Sequence, residues 1–130
     1  MHRAWRHSMD DNYTLTAAEE RLADIIWQRA PISSPELVDI AWAILEWKKS
    51  TTYTVLRRLC EKGIFYNANA VVQVAITREE LIARQSRQFV NSSFGGSLPR
   101  FVTSFFGGKK LSSKEAEELK RLIEAHEEGN

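Results

Sequence analysis

The sequence predicts a mostly α-helical protein with one small β-hairpin, built as an N-terminal domain followed by a C-terminal helical region. Three observations lead there. Apolar residues recur at helical spacing along most of the chain, and three of these runs open with Ser or Thr followed three residues later by Glu. After Gly63 the period falls to that of a strand and then becomes helical again. Two Gly-Gly pairs, Gly95-Gly96 and Gly107-Gly108, divide the C-terminal part into short helices.

The first helix opens at Thr16 with Glu19, a capping box in which each side chain satisfies an orphan backbone N–H. Leu22, Ile25 and Ile26 form its buried stripe, and Ala30-Pro31 ends it because the residue before proline is pushed out of the helical region. The second helix begins at Ser33 or Ser34, with Pro35 in the first turn where its missing N–H costs nothing. Its inner face is Leu37, Ile40, Ala41 and either Ile44 or Leu45. A break at Trp47-Lys48 precedes a third helix from about Ser50 to Lys62, stopped by Gly63. Thr52, Val55, Leu56, Leu59 and Cys60 face inward on it, and Ser50, Thr51, Tyr53, Thr54, Arg57 and Arg58 face outward.

Ile64 to Tyr66 and Val71 to Ile76 are β-branched or aromatic runs joined by the turn-prone Asn67-Ala68-Asn69. Three helices and then a hairpin is the order of a winged helix-turn-helix. Thr77 with Glu80 opens the next helix, which carries Leu81, Ile82, Phe89 and Val90 to Phe94. A short apolar helix runs from Ser97 to about Phe106, and Ser112 with Glu115 opens the last, carrying Ala116, Leu119, Leu122 and Ile123. The expected organisation is residues 1–13 as a flexible arm or appended remnant, with Met9 as an alternative start, then 14–77 as the winged-helix domain and 78–130 as a helical dimerisation region.

Composition narrows the function. With 43% hydrophobic and 27% charged residues the chain is an ordinary globular one. It has no apolar run of the roughly 18 residues that span a bilayer. Met1 to Met9 carry Arg3 and Arg6 but no apolar core and so do not read as a secretory signal; membrane insertion is not expected and a cytoplasmic location is. Cys60 is the sole cysteine, which excludes an internal disulfide and fits a reducing compartment; its place on an apolar stripe suggests a buried thiol. His2, His7 and His126 lack metal-ligand spacing, and no metal or cofactor is expected.

A net charge of +1 conceals a local asymmetry: between Trp47 and Gly63 five basic residues, Lys48, Lys49, Arg57, Arg58 and Lys62, stand against Glu61 alone, a local +4. Phosphate attraction follows such local density. Hydroxyls near the N-terminus of the third helix can approach phosphates or base edges, Tyr53 can meet a phosphate or a sugar, and arginines can fork onto guanine. The DNA-contacting set is therefore Lys48, Lys49, Ser50, Thr51, Tyr53, Thr54, Arg57 and Arg58. The C-terminal helices are too short to enclose a core. Leu98, Phe101, Val102, Phe105, Leu119, Leu122 and Ile123 must bury against something, and a second copy of the chain is the economical partner; packing back on the winged domain is the alternative. No phosphate loop and no Ser, His and Asp constellation is visible, so no catalytic residues are assigned. A winged-helix module that binds protein instead of DNA stays open, since the wing Asn67-Ala68-Asn69-Ala70 carries no charge.

With these elements in place, the chain resembles the penicillinase repressor (BlaI/MecI/CopY) family of bacterial winged-helix transcriptional regulators. Leu15 to Glu19 through Ile25-Ile26-Trp27 is similar to that family's first helix, with Glu20 where a tryptophan is common. Thr51 to Gly63 is similar to its recognition helix, T-x-x-T-x-L-x-R-L-x-x-K-G. Phe94-Gly95-Gly96 and Leu111-Ser112-x-x-Glu115 through Leu122-Ile123 resemble its aromatic-Gly-Gly and closing dimerisation helix. The resemblance implies a homodimeric repressor of resistance or stress genes on palindromic, double-stranded operator DNA. It also implies a membrane sensor protease system as a further partner. By position a regulatory cut would fall at Ser104-Phe105, where Ser104 replaces the asparagine expected before the phenylalanine. Copper-responsive relatives carry paired cysteines near the C-terminus, and this chain does not.

Overall fold

The computed structural model describes residues 13–128. The expectation of an arm, with Met9 as an alternative start, falls for residues 1–12 outside that range. Among the described residues there are six α-helices and one three-stranded antiparallel sheet, the mostly helical class the sequence predicts. Contacts divide the chain into two compact units that meet between Phe89 and Val90.

The first unit begins with α1 (Ala17–Arg29), capped by Thr16 and Glu19 in the reciprocal manner expected and ended at extended Ala30. A two-residue strand, β1 (Ile32–Ser33), leads into α2 (Ser34–Leu45), where Ser33 Oγ accepts from Glu36 N. Glu46, left-handed at φ 60°, turns the chain toward α3 (Lys49–Glu61). Then come β2 (Phe65–Ala68) and β3 (Val71–Val74), joined by Asn69 and Ala70, both at positive φ. Two positive-φ residues match the right-handed twist of a two-residue hairpin. The turn thus sits two residues later than the sequence suggested, because β2 runs on through Asn67 and Ala68.

Strand order is β1-β3-β2, with Phe65 paired to Val74 and Ile32 to Val72. Periodicity could not reveal β1. Two residues between Pro31 and Ser34 show no alternation, and only the edge of β3 makes them a strand. The core joins Leu22, Ile26, Leu37, Leu59, Ile64, Phe65 and Val72, all essentially sealed from water. On α2 it is Leu45 that packs inward, while Ile44 is 56% exposed. Cys60 is half-buried and lies against the core's edge, not within it. Burial pushes its thiol pKa up, and the neighbouring Glu61 charge adds to this. It is therefore a poor nucleophile.

Thr77 and Glu80 cap α4 (Arg78–Phe94) reciprocally. Leu81 is buried in the first unit's core, whereas Ile82 and Phe89, expected on an apolar stripe, are each 52% exposed. In the second unit, α5 (Leu98–Phe106) is capped by Ser97 and stopped by left-handed Gly107. Ser112 Oγ caps α6 (Ser113–Ala125). None of residues 90–128 is buried. Phe94 meets Phe101 edge-on and Phe101 meets Phe105 at a tilt, with ring centroids 5.6 and 6.0 Å apart.

Candidate nucleic-acid interface

Two faces give α3 its properties. Thr52, Val55, Leu56 and Leu59 are buried, and the Thr52 hydroxyl bonds back to Lys48 O at 3.3 Å, so it exposes no polar group. On the opposite side Lys48, Lys49, Ser50, Thr51, Arg57 and Arg58 are exposed. The first intrahelical donor is Thr52 N, bonded to Lys48 O at 3.1 Å, and no side chain caps the N-terminus. The N–H groups of the first turn therefore add their partial positive charge to that of Lys48 and Lys49.

Two residues of the expected outer face stand differently. Thr54 is half-buried. Tyr53 is half-buried too and packs against the core, its phenol 3.4 Å from Ser34 Oγ. That distance is long for a hydroxyl pair, so ring packing contributes more than the bond. Ser34 N in turn donates to Ala70 O at 2.8 Å, which ties the start of α2 to the hairpin turn.

Lys62 also departs from its place in the basic count. Its ammonium donates to Glu19 Oε1 at 2.6 Å and to Thr14 O at 2.8 Å. Its charge is used inside the domain, and the outward cations of this stretch are Lys48, Lys49, Arg57 and Arg58. Sequence reasoning missed this pairing. Glu19 was legible as a cap, but its second partner lies 43 residues away.

Burial, the largest influence on Glu19, would raise its carboxyl pKa. The Lys62 hydrogen bond, the Thr16 N–H and the charges of Lys62 and Arg58 together outweigh it and hold the pKa below its ordinary value. A folded-state pKa below the unfolded one contributes stability that is present above the carboxylate range and lost as pH falls through the folded value. Lys62→Met should accordingly cost about 2 kcal/mol at pH 7, the worth of a hydrogen bond to a partly buried charge. The gap between variant and parent should narrow in urea titrations as pH falls below the ordinary carboxylate value and close only once pH has passed below the lower folded value, where Glu19 is neutral in the folded protein too. A gap independent of pH would show that Lys62 acts by packing alone.

The sequence-predicted dimerisation residues cluster in the second unit. Leu98, Phe105, Leu122 and Ile123 are each more than half exposed, and Val102 and Leu119 are exposed too. Phe101 is half-buried. Between α5 and α6 lies an open apolar groove of about 820 Å³, walled by Phe101, Phe105, Leu119 and Leu122 and edged by Glu118 and Arg121. Ser104 and Phe105 both lie within α5, exposed, near its C-terminal end.

Three helices closed by a hairpin, with the third helix basic on its outer face, define a winged helix-turn-helix protein of the transcription-regulator class. The chain belongs to the penicillinase repressor family, whose model matches residues 15–125. It is 24% identical to the methicillin resistance regulatory protein MecI of Mammaliicoccus sciuri, over 85% of this chain and 94% of that one. The MecI protein of Staphylococcus epidermidis matches to the same extent. A penicillinase repressor of Staphylococcus aureus is 26% identical, over 84% and 90% of the two chains. The family consists of bacterial transcriptional repressors and not of enzymes. No helix among the described residues is long and apolar enough to cross a membrane.

Proposed function

We propose that the chain is a cytoplasmic, homodimeric repressor that places α3 of each protomer in the major groove of a palindromic operator. One observation carries this reading: α3 is sealed on one side by Val55, Leu56 and Leu59 and exposes Lys48, Lys49, Ser50, Thr51, Arg57 and Arg58 on the other. Residues 14–77 form the DNA-binding domain and 78–130 the dimerisation region. Lys48 and Lys49 hold phosphates at the helix N-terminus, and Arg57 reads base edges beside Thr51 and Thr54. Arg58 lies alongside, and Tyr53 sets the helix against the Ser34 side chain at the start of α2. The uncharged turn at Asn69 leaves the wing a minor part.

The second copy covers Leu98, Phe101, Val102, Phe105, Leu119, Leu122 and Ile123. The regulated genes are of the resistance or stress class, in line with the resistance regulator it is similar to. If a membrane sensor protease system relieves repression by cutting Ser104-Phe105, the last turn of α5 must open first, since a bond in helical conformation does not fit an extended protease cleft.

The test sets Arg57→Ala beside Lys49→Ala, each titrated against a duplex selected by the protein from a random pool and against a scrambled duplex, over a salt series. Loss of a base contact should cost about 1–3 kcal/mol on the selected duplex only, whereas loss of a phosphate contact should weaken both and flatten the salt slope by about one. If neither substitution changes either affinity, α3 is not the DNA-binding element, and the protein-binding module becomes the better reading.

A further inference from the structure

The second unit divides its charge by position. Residues 90–114 carry Arg100, Lys109, Lys110 and Lys114 with no acidic residue, a local +4. In residues 115–128 six glutamates stand against Lys120 and Arg121, a local −4. All of these side chains are exposed. Arg100, Lys109, Lys110 and Lys114 form no ion pair among the described residues, where the pair this unit does make is Lys120 with Glu117, 4.0 Å apart on one helix. Opposite charges thus occupy one small unit without meeting.

The apolar groove between α5 and α6 has Glu115, Glu118 and Arg121 of α6 along its edge. Lys109 and Lys110 follow Gly107-Gly108, directly behind the apolar end of α5 at Phe105 and Phe106. Whatever buries the end of α5 brings two ammonium groups with it. A groove with two carboxylates on its edge therefore suits an apolar segment that ends in cations, and the α5 of a second copy is such a segment.

Apolar burial is non-directional and does not choose how two copies are turned against each other. Charge does. In a twofold dimer the same patch serves both partners, so a contact from residue i to residue j is matched by one from j to i. Basic link against basic link would repel, and so would acidic edge against acidic edge. The crossed arrangement relieves both, and symmetry makes it twice.

We infer that the Lys109-Lys110 link of each protomer docks against the Glu115 and Glu118 edge of the other protomer's groove, and that this crossed pairing selects a second copy as the partner and fixes its orientation. This rests on the homodimer proposed above. Such pairs lie at an exposed rim, where the screening length falls from about 10 Å at 0.1 M salt to about 3 Å at 1 M. Dimerisation is therefore weakened by salt even with no DNA present.

The experiment uses the full chain in two variants, Lys109→Glu with Lys110→Glu, and Glu115→Lys with Glu118→Lys. Alone, each variant sets like charges together at both crossed contacts. Mixed one to one, the two variants restore opposite charges at both. Sedimentation equilibrium is run without DNA, at low salt and at about 1 M, with each sample about tenfold above the parent's dimer dissociation constant. At low salt each variant alone should dimerise about a hundredfold more weakly than the parent, the effect of turning four exposed pairs from attraction to repulsion. The mixture should dimerise within about threefold of the parent, and at 1 M salt all samples should come within about threefold of one another. A variant that dimerises alone like the parent at low salt overturns the pairing. A mixture that stays monomeric overturns it too, since the substitutions would then act by something other than these charges meeting. A parent that is monomeric at every concentration removes the proposed dimer itself, and the inference falls with it.

Discussion

Phe105→Asp should convert the protein from a dimer to a monomer and lower operator affinity by about two to four powers of ten, the contribution of linking two weak grips into one. Phe105 is 63% exposed in the protomer and lines the apolar groove between α5 and α6. Placing a carboxylate there costs the isolated chain little, because the side chain already meets water. Placed in a dry interface the same carboxylate costs several kcal/mol unless paired, and symmetry applies that cost twice. Sedimentation equilibrium should show the mass fall from about twice 14.9 kDa to 14.9 kDa at micromolar concentration. Helical circular dichroism should be retained, and single-half-site binding should match the parent. A substituted protein that stays dimeric would move the interface elsewhere, with the exposed Ile82 and Phe89 of α4 as the next surface to test.

The elements that were legible in the sequence are those whose cause is local. Thr16 with Glu19 and Thr77 with Glu80 are reciprocal caps made within one helical turn, and both appear as the residues suggest. The inner face of α3 was legible because a buried stripe on a helix repeats every three or four residues. What stayed hidden depends on distant partners. β1 exists only because Val71 and Val72 pair with it, and its two residues hold no period. Lys62 looked like one more cation on a basic helix until Glu19 and Thr14 were found against it. Tyr53 looked like a contact residue because its position falls beside the outer stripe, yet its ring is large enough to reach back onto the core and Ser34. Ile82 and Phe89 followed the helical period but find no burial within the first unit. Periodicity shows which side of a helix is apolar; whether that side is covered depends on where the chain ends up.

Leu59→Ala is the counterpart to the surface substitutions on the same helix, and its effect should appear in stability before it appears in DNA binding. Leu59 is fully buried in the core cluster that also contains Leu22, Ile26 and Phe65. Truncation removes three carbons, a methine and its two methyls, from contact and leaves a void that a close-packed interior fills only in part, at a cost of about 2–5 kcal/mol. Against a total stability of about 5–15 kcal/mol for a small domain, that is a large fraction. The outward side chains Arg57 and Arg58 keep their chemistry, so the folded variant at low temperature should show the parent's salt slope and the parent's preference for the selected duplex. Urea denaturation followed by tryptophan emission should report the loss as a lower midpoint with the slope unchanged. The signal is available because half-buried Trp27 packs on Phe65, their ring centroids 5.4 Å apart, against the same core. Should Leu59→Ala leave the midpoint where it was, while Arg57→Ala lowered it, the two faces of α3 would be assigned the wrong way round. The basic face would then be the one that holds the domain together.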